Sequence, residues 1–320
     1  MSNFDYLRPA TLDEALVAIQ TPDATAIGGG TDLVPLLTEG LATAAQVVDL
    51  RFLPDARRIT RADDGSVRLG AAVRIADLAS DPLIRAAYPV LAEAAASVAS
   101  PALRAMGTLG GNLLQRPRCW YFRRGVSCLK TGGQGCPAAA GEHRYHGIMD
   151  AGTCRAAHPS DPAVALEALD ARVTLRSAAG TRSLGVAEFF APAGSAAEGE
   201  TALEPGEMVT EVVLPAASAG GVQHWEKLIQ RGAFDFALVS CAAVRRADGT
   251  VRMALGGVGA GPWRVPHSIE EDVGSGGLED DSIDALAARA LYDASPLPGT
   301  AYKVVMAEAA LRRAIRAIAP

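Results

Sequence analysis

The chain has 320 residues, 49% of them apolar and 21% charged, with a formal net charge of −6. That length is enough for two or three packed units around a large core, and no run approaches the roughly 18 apolar residues of a membrane-spanning helix, so a soluble protein is expected. An acidic balance without a basic tract interleaved with aromatics argues against nucleic acid as the main partner.

The opening segment MSNFDYLRPATLDEAL lacks the basic-then-apolar pattern of an export signal. Thr11 and Glu14 form a capping box for a helix over 12–20. A strand at Ala24 to Ile27, a glycine loop at Gly28 to Gly30, a second helix pattern and a strand at Gln46 to Leu50 follow, which is compact α/β material. Residues 67–73 read as a strand, and 83–99 carry apolar residues at helical spacing until Pro101 interrupts. A second glycine loop, GTLGGNL, covers 107–113, and the stretch 115–156 has little periodicity. So long an irregular segment inside a globular chain points to function or disorder. Beyond it, Ser160-Asp161 opens a helix ending near Leu169, with strands expected at 172–177 and 208–214 and a connection over 192–204. From 223 the pattern changes to long strands, with a hairpin turned at Asp248-Gly249, and helices over 282–294 and 301–318 close the chain. The fold class is therefore α+β, with residues 1–218 (in two parts, about 1–55 and 56–218) and 219–320 as separate units.

Four of the five cysteines, Cys119, Cys128, Cys136 and Cys154, crowd the irregular segment, with eight, seven and seventeen residues between them. Four thiolates in an otherwise cysteine-poor chain suggest an iron-sulfur cluster or another metal site. The short C-x-x-C pairs of a zinc ribbon are missing, so zinc is a lesser alternative, as are a purely structural role and disulfides. Cys241, inside an apolar strand, reads as a core residue. His143, His146 and His158 flank the cysteines as further candidate ligands or as ordinary loop histidines. Arg116, Arg118, Arg123 and Arg124 suit a local anion or a subunit contact.

Each glycine loop has bare backbone next to polar side chains. Consecutive glycines at 28–30, between a strand and a helix, let N–H groups turn toward one anion, with Thr31 as a hydroxyl donor and Asp32 as a helix cap. The alternative is a tight turn needing positive φ. Thr108 and Asn112 repeat the chemistry in the second loop, and two such loops suit a dinucleotide. Neither is the G-x-G-x-x-G of a nicotinamide site, and GGVGAG at 256–261 reads as a turn. Ser160 and Asp161 read as a helix N-cap or a binding pair. Lys227 stands out as one of only three lysines.

The segments FDYLRPATLDEAL, GGGTDL, GTLGGNL, HPSDPAVAL, EKLIQRGAFDFALVSCAAV and TAYKVVMAEAALRRA, in this order along nearly the whole chain, resemble the FAD-binding medium subunit of the molybdenum hydroxylases, the xanthine and carbon monoxide dehydrogenase family. The resemblance implies a two-part FAD-binding domain of the molybdopterin dehydrogenase (PCMH-like) type, followed by a smaller C-terminal domain with an antiparallel sheet and helices. It places the FAD pyrophosphate against Ile27, Gly28, Gly29, Gly30, Thr31, Asp32 and Leu33. Thr108, Gly110, Gly111 and Asn112 would form a second wall, and Ser160, Asp161 and Lys227 would meet the remaining polar edges. Most members lack the cysteine segment. Its presence is similar to the FAD subunits of periplasmic aldehyde oxidoreductase and of 4-hydroxybenzoyl-CoA reductase, where Cys119, Cys128, Cys136 and Cys154 would correspond to ligands of a 4Fe-4S cluster. The wording GGNLLQRPRCWYFR and AHPSD favours the aldehyde oxidoreductase. Such a subunit has no catalytic residue of its own. It passes electrons from a large molybdenum-cofactor subunit, through a small 2Fe-2S subunit, to FAD and an external acceptor in a heterotrimer. The implied location is periplasmic, by co-export with a signal-bearing small subunit, or otherwise cytoplasmic. The rival readings are a benzoyl-CoA reductase type complex with inward electron flow, and a zinc-stabilised non-catalytic module.

Overall fold

The computed structural model describes residues 3–149, 154–190 and 199–319. Three sheets follow one another along the chain. The first is parallel, in the order β1-β3-β2: β1 (Asp5–Leu7), α1 (Leu12–Ala18), β2 (Ala24–Ile27), α2 (Leu33–Thr38) and β3 (Gln46–Asp49). The two helices supply the crossovers that parallel neighbours need. Thr11 caps α1 by accepting from Glu14 N at 3.1 Å, while the Glu14 carboxylate reaches back to Ala10 N at 2.7 Å.

The second sheet is antiparallel, in the order β4-β5-β8-β6-β7, and several short helices interrupt its sequence. The elements are β4 (Ile59–Arg61), β5 (Val67–Gly70), α3 (Ile75–Ser80), α4 (Pro82–Ala87), α5 (Pro89–Ala96), α6 (Pro101–Met106), α7 (Leu109–Leu113), α8 (Trp120–Arg123), α9 (Asp161–Ala168), β6 (Arg172–Ser177), β7 (Gly180–Gly185), α10 (Val186–Phe190) and β8 (Met208–Leu214). The helix expected over 83–99 is two helices. Pro82 and Pro89 each occupy a first turn, where a missing N–H costs nothing, and Tyr88 between them leaves helical geometry at φ −136°. The strand expected to reach residue 73 ends at Gly70, where Ala72 N–H turns away to Ala56 O at 2.7 Å. Of the connection expected over 192–204, residues 192–198 lie outside the described residues.

The third sheet, order β12-β11-β10-β9, is antiparallel: β9 (Val222–Leu228), β10 (Val239–Arg245), β11 (Val251–Gly256) and β12 (Trp263–Arg264), followed by α11 (His267–Ser275), α12 (Asp280–Arg289) and α13 (Tyr302–Ile318). The β10–β11 hairpin pairs Arg245 with Val251, and Gly249 takes the left-handed φ of +87° that its turn requires. β10 is buried on both faces. Ala242 and Val244 join the core that holds α5 and α9, while Cys241 and Ala243 join the core beneath α13. α9 is thus packed all round, and every residue from Asp161 to Ala168 is buried. Arg264 on β12 ties the third sheet to the far end of α9 through Asp170 at 2.8 Å and is itself held by Glu270 of α11 at 2.6 Å.

Candidate cofactor site

The two glycine loops lie against each other. A methyl group on Gly28 would overlap the Thr108 hydroxyl, and one on Gly29 would overlap the Met106 carbonyl. Both positions need glycine because two backbones approach closely there, and Gly30 adds a φ of +72°. Ile27 and Leu33, by contrast, turn their side chains into a small core with Leu37, Ala44 and Val47.

Thr31, Asp32, Thr108, Gly111, Asn112, Asp161 and Lys227 line one cavity of about 210 Å³ beside Phe234 and Phe236. Thr108 accepts from Gly111 N at 3.2 Å. Ser160 is the N-cap of α9, accepting from Ala163 N at 3.1 Å while donating to Asn112 Oδ1 at 2.6 Å. Cap and cavity contact therefore meet in one hydroxyl, which ends a helix and orients a cavity side chain. Asp161 is paired with Lys227 at 2.7 Å, and the ammonium also donates to Ser97 O at 2.9 Å. Burial pushes the Asp161 carboxyl up to about 6, against the pull of Lys227.

Asp32 does not cap α2 as the sequence suggested; no N–H of that helix bonds to its side chain. Its carboxylate accepts from Arg116 N at 2.8 Å and from the guanidinium groups of Arg118 and Arg123. Burial raises the Asp32 carboxyl, but Arg118, the Arg116 N–H and Arg123 outweigh it and hold the group below its ordinary value. The anion met by this arginine cluster is the chain's own: Asp32 for Arg118 and Arg123, Glu200 for Arg116 at 2.6 Å.

A second cavity, of about 690 Å³, shares Arg118, Pro159, Asp235 and Phe236 with the first and is walled by Trp120, Tyr145, His146 and His158. Together they make an extended cleft with bare backbone and hydroxyls at one end and aromatic rings at the other. Backbone N–H groups and hydroxyls suit phosphates, and aromatic walls suit flat fused rings, so the residues fit an FAD.

Cys119, Cys128, Cys136 and Cys154 line a common cavity behind this cleft, and all five cysteines are free thiols. Burial raises the thiols of Cys119 and Cys154, opposed by nearby backbone N–H groups. Among the described residues no group of three or more Cys, His, Asp or Glu side chains is placed to hold a single metal ion. Cys241 is fully buried, its thiol pushed up to about 12 by burial. Of the three histidines, only His146 reaches a cysteine, with Nε2 at 3.2 Å from Cys119 Sγ. His143 is structural: Nδ1 donates to Gly141 O at 2.6 Å and Nε2 accepts from Gly299 N at 2.9 Å. His158 accepts from Ser160 N at 3.3 Å and lies fully inside, which lowers its imidazole to about 4.

Two features had escaped the sequence reading. The GGVGAG run is more than a turn, because Val258 O accepts from Ile148 N and Met149 N at 2.6 and 2.8 Å and Gly259 O from His158 N at 2.9 Å, docking the cysteine segment on the third sheet. Lys303, 1% exposed, donates to the carbonyls of His146 (3.0 Å) and Gly257, and burial lowers its ammonium to about 7. The available signal was a lysine in register with Ala307, Ala310, Leu311 and Ala314 on the buried face of α13.

Residues 2–217 match the family described as the FAD binding domain in molybdopterin dehydrogenase. The chain is 38% identical to the aldehyde oxidoreductase FAD-binding subunit PaoB of Escherichia coli (strain K12) over 321 positions, covering 97% of this chain and 96% of that protein. It is 28% identical to the carbon monoxide dehydrogenase medium chain of Hydrogenophaga pseudoflava, covering 98% and 96%. A solved carbon monoxide dehydrogenase from H. pseudoflava, lacking the Mo-pyranopterin moiety of its cofactor, superposes with a TM-score of 0.75 at 26% identity, over 99% of this chain and 97% of that one. The chain therefore belongs to the FAD-binding medium subunits of the molybdenum hydroxylases, a family of oxidoreductases.

Proposed function

We propose that this chain is the FAD- and 4Fe-4S-binding electron-transfer subunit of a molybdenum-containing aldehyde oxidoreductase. Its partners would be a large molybdenum-cofactor subunit and a small 2Fe-2S subunit in a heterotrimer, with an external electron acceptor. The net reaction, aldehyde and water to carboxylate, would belong to the large partner. The observation that carries this reading is the meeting of four free cysteines on one cavity behind the cleft, in a chain 38% identical to an aldehyde oxidoreductase FAD subunit.

Bound FAD would supply the redox chemistry itself, and the polypeptide's part is binding and orientation. The Gly28 to Gly30 backbone, Thr31 and Thr108 would meet the pyrophosphate. Asn112, its Oδ1 already taken by Ser160, keeps its amide N–H groups for a ligand. Lys227 uses two of its three protons on Asp161 and Ser97, which leaves one for the cofactor.

Four thiolates serve either zinc or a cluster, and the wide spacing of Cys119, Cys128, Cys136 and Cys154, without a C-x-x-C pair, favours the cluster. Location would be periplasmic, by co-export with a small subunit bearing a twin-arginine signal, or else cytoplasmic.

The test is the visible spectrum of the anaerobically purified chain, titrated with dithionite. Flavin bands on a broad iron-sulfur absorption, both bleaching, are expected. A colourless protein from cells that supply both cofactors overturns the proposal. Cys128→Ser is expected to lose the iron and keep flavin, and full iron content in that variant rejects the ligand assignment.

A further inference from the structure

We infer that His146 and Lys130 are positioning residues that raise the reduction potential of the cluster proposed above, His146 by an N–H···S bond to Cys119 and Lys130 as a buried ammonium in the lining of the cysteine cavity. The inference rests on the cluster reading and adds to it what two residues outside the ligand set do.

His146 is buried, and its Nε2 stands 3.2 Å from Cys119 Sγ while its Nδ1 has no hydrogen-bond partner. A neutral imidazole has one N–H. A cysteine thiolate is acceptor only, so the nitrogen facing it is the one that carries the proton. The ring is held in place: Trp120 meets it edge-on at 5.6 Å, His146 N donates to His143 O at 2.9 Å, and Lys303 Nζ holds its carbonyl at 3.0 Å.

The Lys130 side chain is 4% exposed and lines the cavity with all four cysteines. Glu200 fixes it at 2.8 Å and binds Arg116 at 2.6 Å with its other oxygen. Two cations thus share one carboxylate and leave about one positive charge beside the thiolates, poorly screened because the group is buried. Reduction of a cluster adds negative charge, so an N–H donor at sulfur and a nearby cation both stabilise the reduced form. Among the described residues Cys119 alone of the four also lines the 690 Å³ cleft, so the histidine bond falls on the ligand that faces the cofactor side.

The experiment is an EPR-monitored redox titration of the full chain in its complex, with iron and sulfide per chain measured first. His146→Phe and Lys130→Met are expected to move the cluster midpoint to more negative values, and Glu200→Gln, which unmasks the ammonium, to more positive ones. His146→Gln, which keeps an N–H donor, should recover part of the shift. A merely structural role lowers iron loading without shifts of opposite sign at Lys130 and Glu200, and this pair decides the matter even where a His146 variant fails to assemble. Full iron content with unmoved midpoints overturns the inference and leaves the cluster standing. Wild-type protein without iron overturns the cluster reading itself.

Discussion

Gly29→Ala is expected to give a chain that purifies with almost no flavin. The added methyl would run into the Met106 carbonyl and the adjoining Gly107 Cα, both backbone atoms, so no side-chain rotation relieves the overlap. Overpacking of this kind costs about 1–3 kcal/mol even where neighbours can shift, and a backbone obstacle places this variant at or above the upper end. The damage falls on the seam between the first parallel sheet and the α6–α7 segment, where both walls of the cleft begin. Gly28→Ala meets a side chain instead, the Thr108 hydroxyl. Its loss of melting temperature should be largely reversed by Thr108→Ala in the same chain, with flavin staying low because that hydroxyl also faces the cofactor, whereas no side-chain change rescues Gly29→Ala. Gly135→Ala, with open space around it, is the control and should keep wild-type flavin. The readouts are the flavin-to-protein absorbance ratio and the melting temperature. Wild-type flavin in Gly29→Ala would mean that the close approach of the loops is unrelated to the cradle.

What was readable in the sequence and what was not divides along the range of the interactions. The strands at Ala24–Ile27, Arg172–Ser177 and Met208–Leu214 and the hairpin at Asp248-Gly249 rest on local apolar pattern and turn chemistry, and the structure has them there. The helix over 83–99 was misread because its apolar spacing runs on through Pro89, although a proline that removes one N–H can restart a helix in a new direction. Asp32 looked like a cap because a cap is the local use of an aspartate after a glycine loop, but its partners lie 84 to 91 residues further on. Arg118 and Arg123 were visible as a cluster, yet nothing in a sequence says which carboxylate a guanidinium will meet. The same holds for Lys130 and Glu200, an ion pair across 70 residues that anchors the cysteine segment. The site was legible as residue types, and its wiring was not.

Lys227→Met should be the most damaging single change on the opposite side of the cleft. It removes the ammonium from a carboxylate that is entirely buried, and breaking a buried pair by deleting one partner costs about 3–5 kcal/mol because the remaining charge is left uncompensated. The pH dependence follows from Asp161. Burial has already pushed its carboxyl from 3.8 up to about 6 in the folded chain, with Lys227 opposing, so loss of the lysine drives it higher still. A carboxyl whose folded pKa lies above its unfolded value favours the folded state fully below about pH 4, and that contribution is lost as pH rises through the folded pKa. Lys227→Met should therefore be least stable, and emptiest of flavin, at pH 7 and above, and should regain melting temperature as pH falls toward 5. Asp161→Asn combined with Lys227→Met removes the titrating group, and its melting temperature relative to the single variant should rise with pH over the same window. Iron content should be unchanged in all of these chains, since the cysteines line a separate cavity. A Lys227→Met chain with wild-type flavin and no pH arm would reduce the pair to a packing detail of α9; loss of flavin with the arm present, and iron intact, would make it the polar anchor of the cofactor cleft.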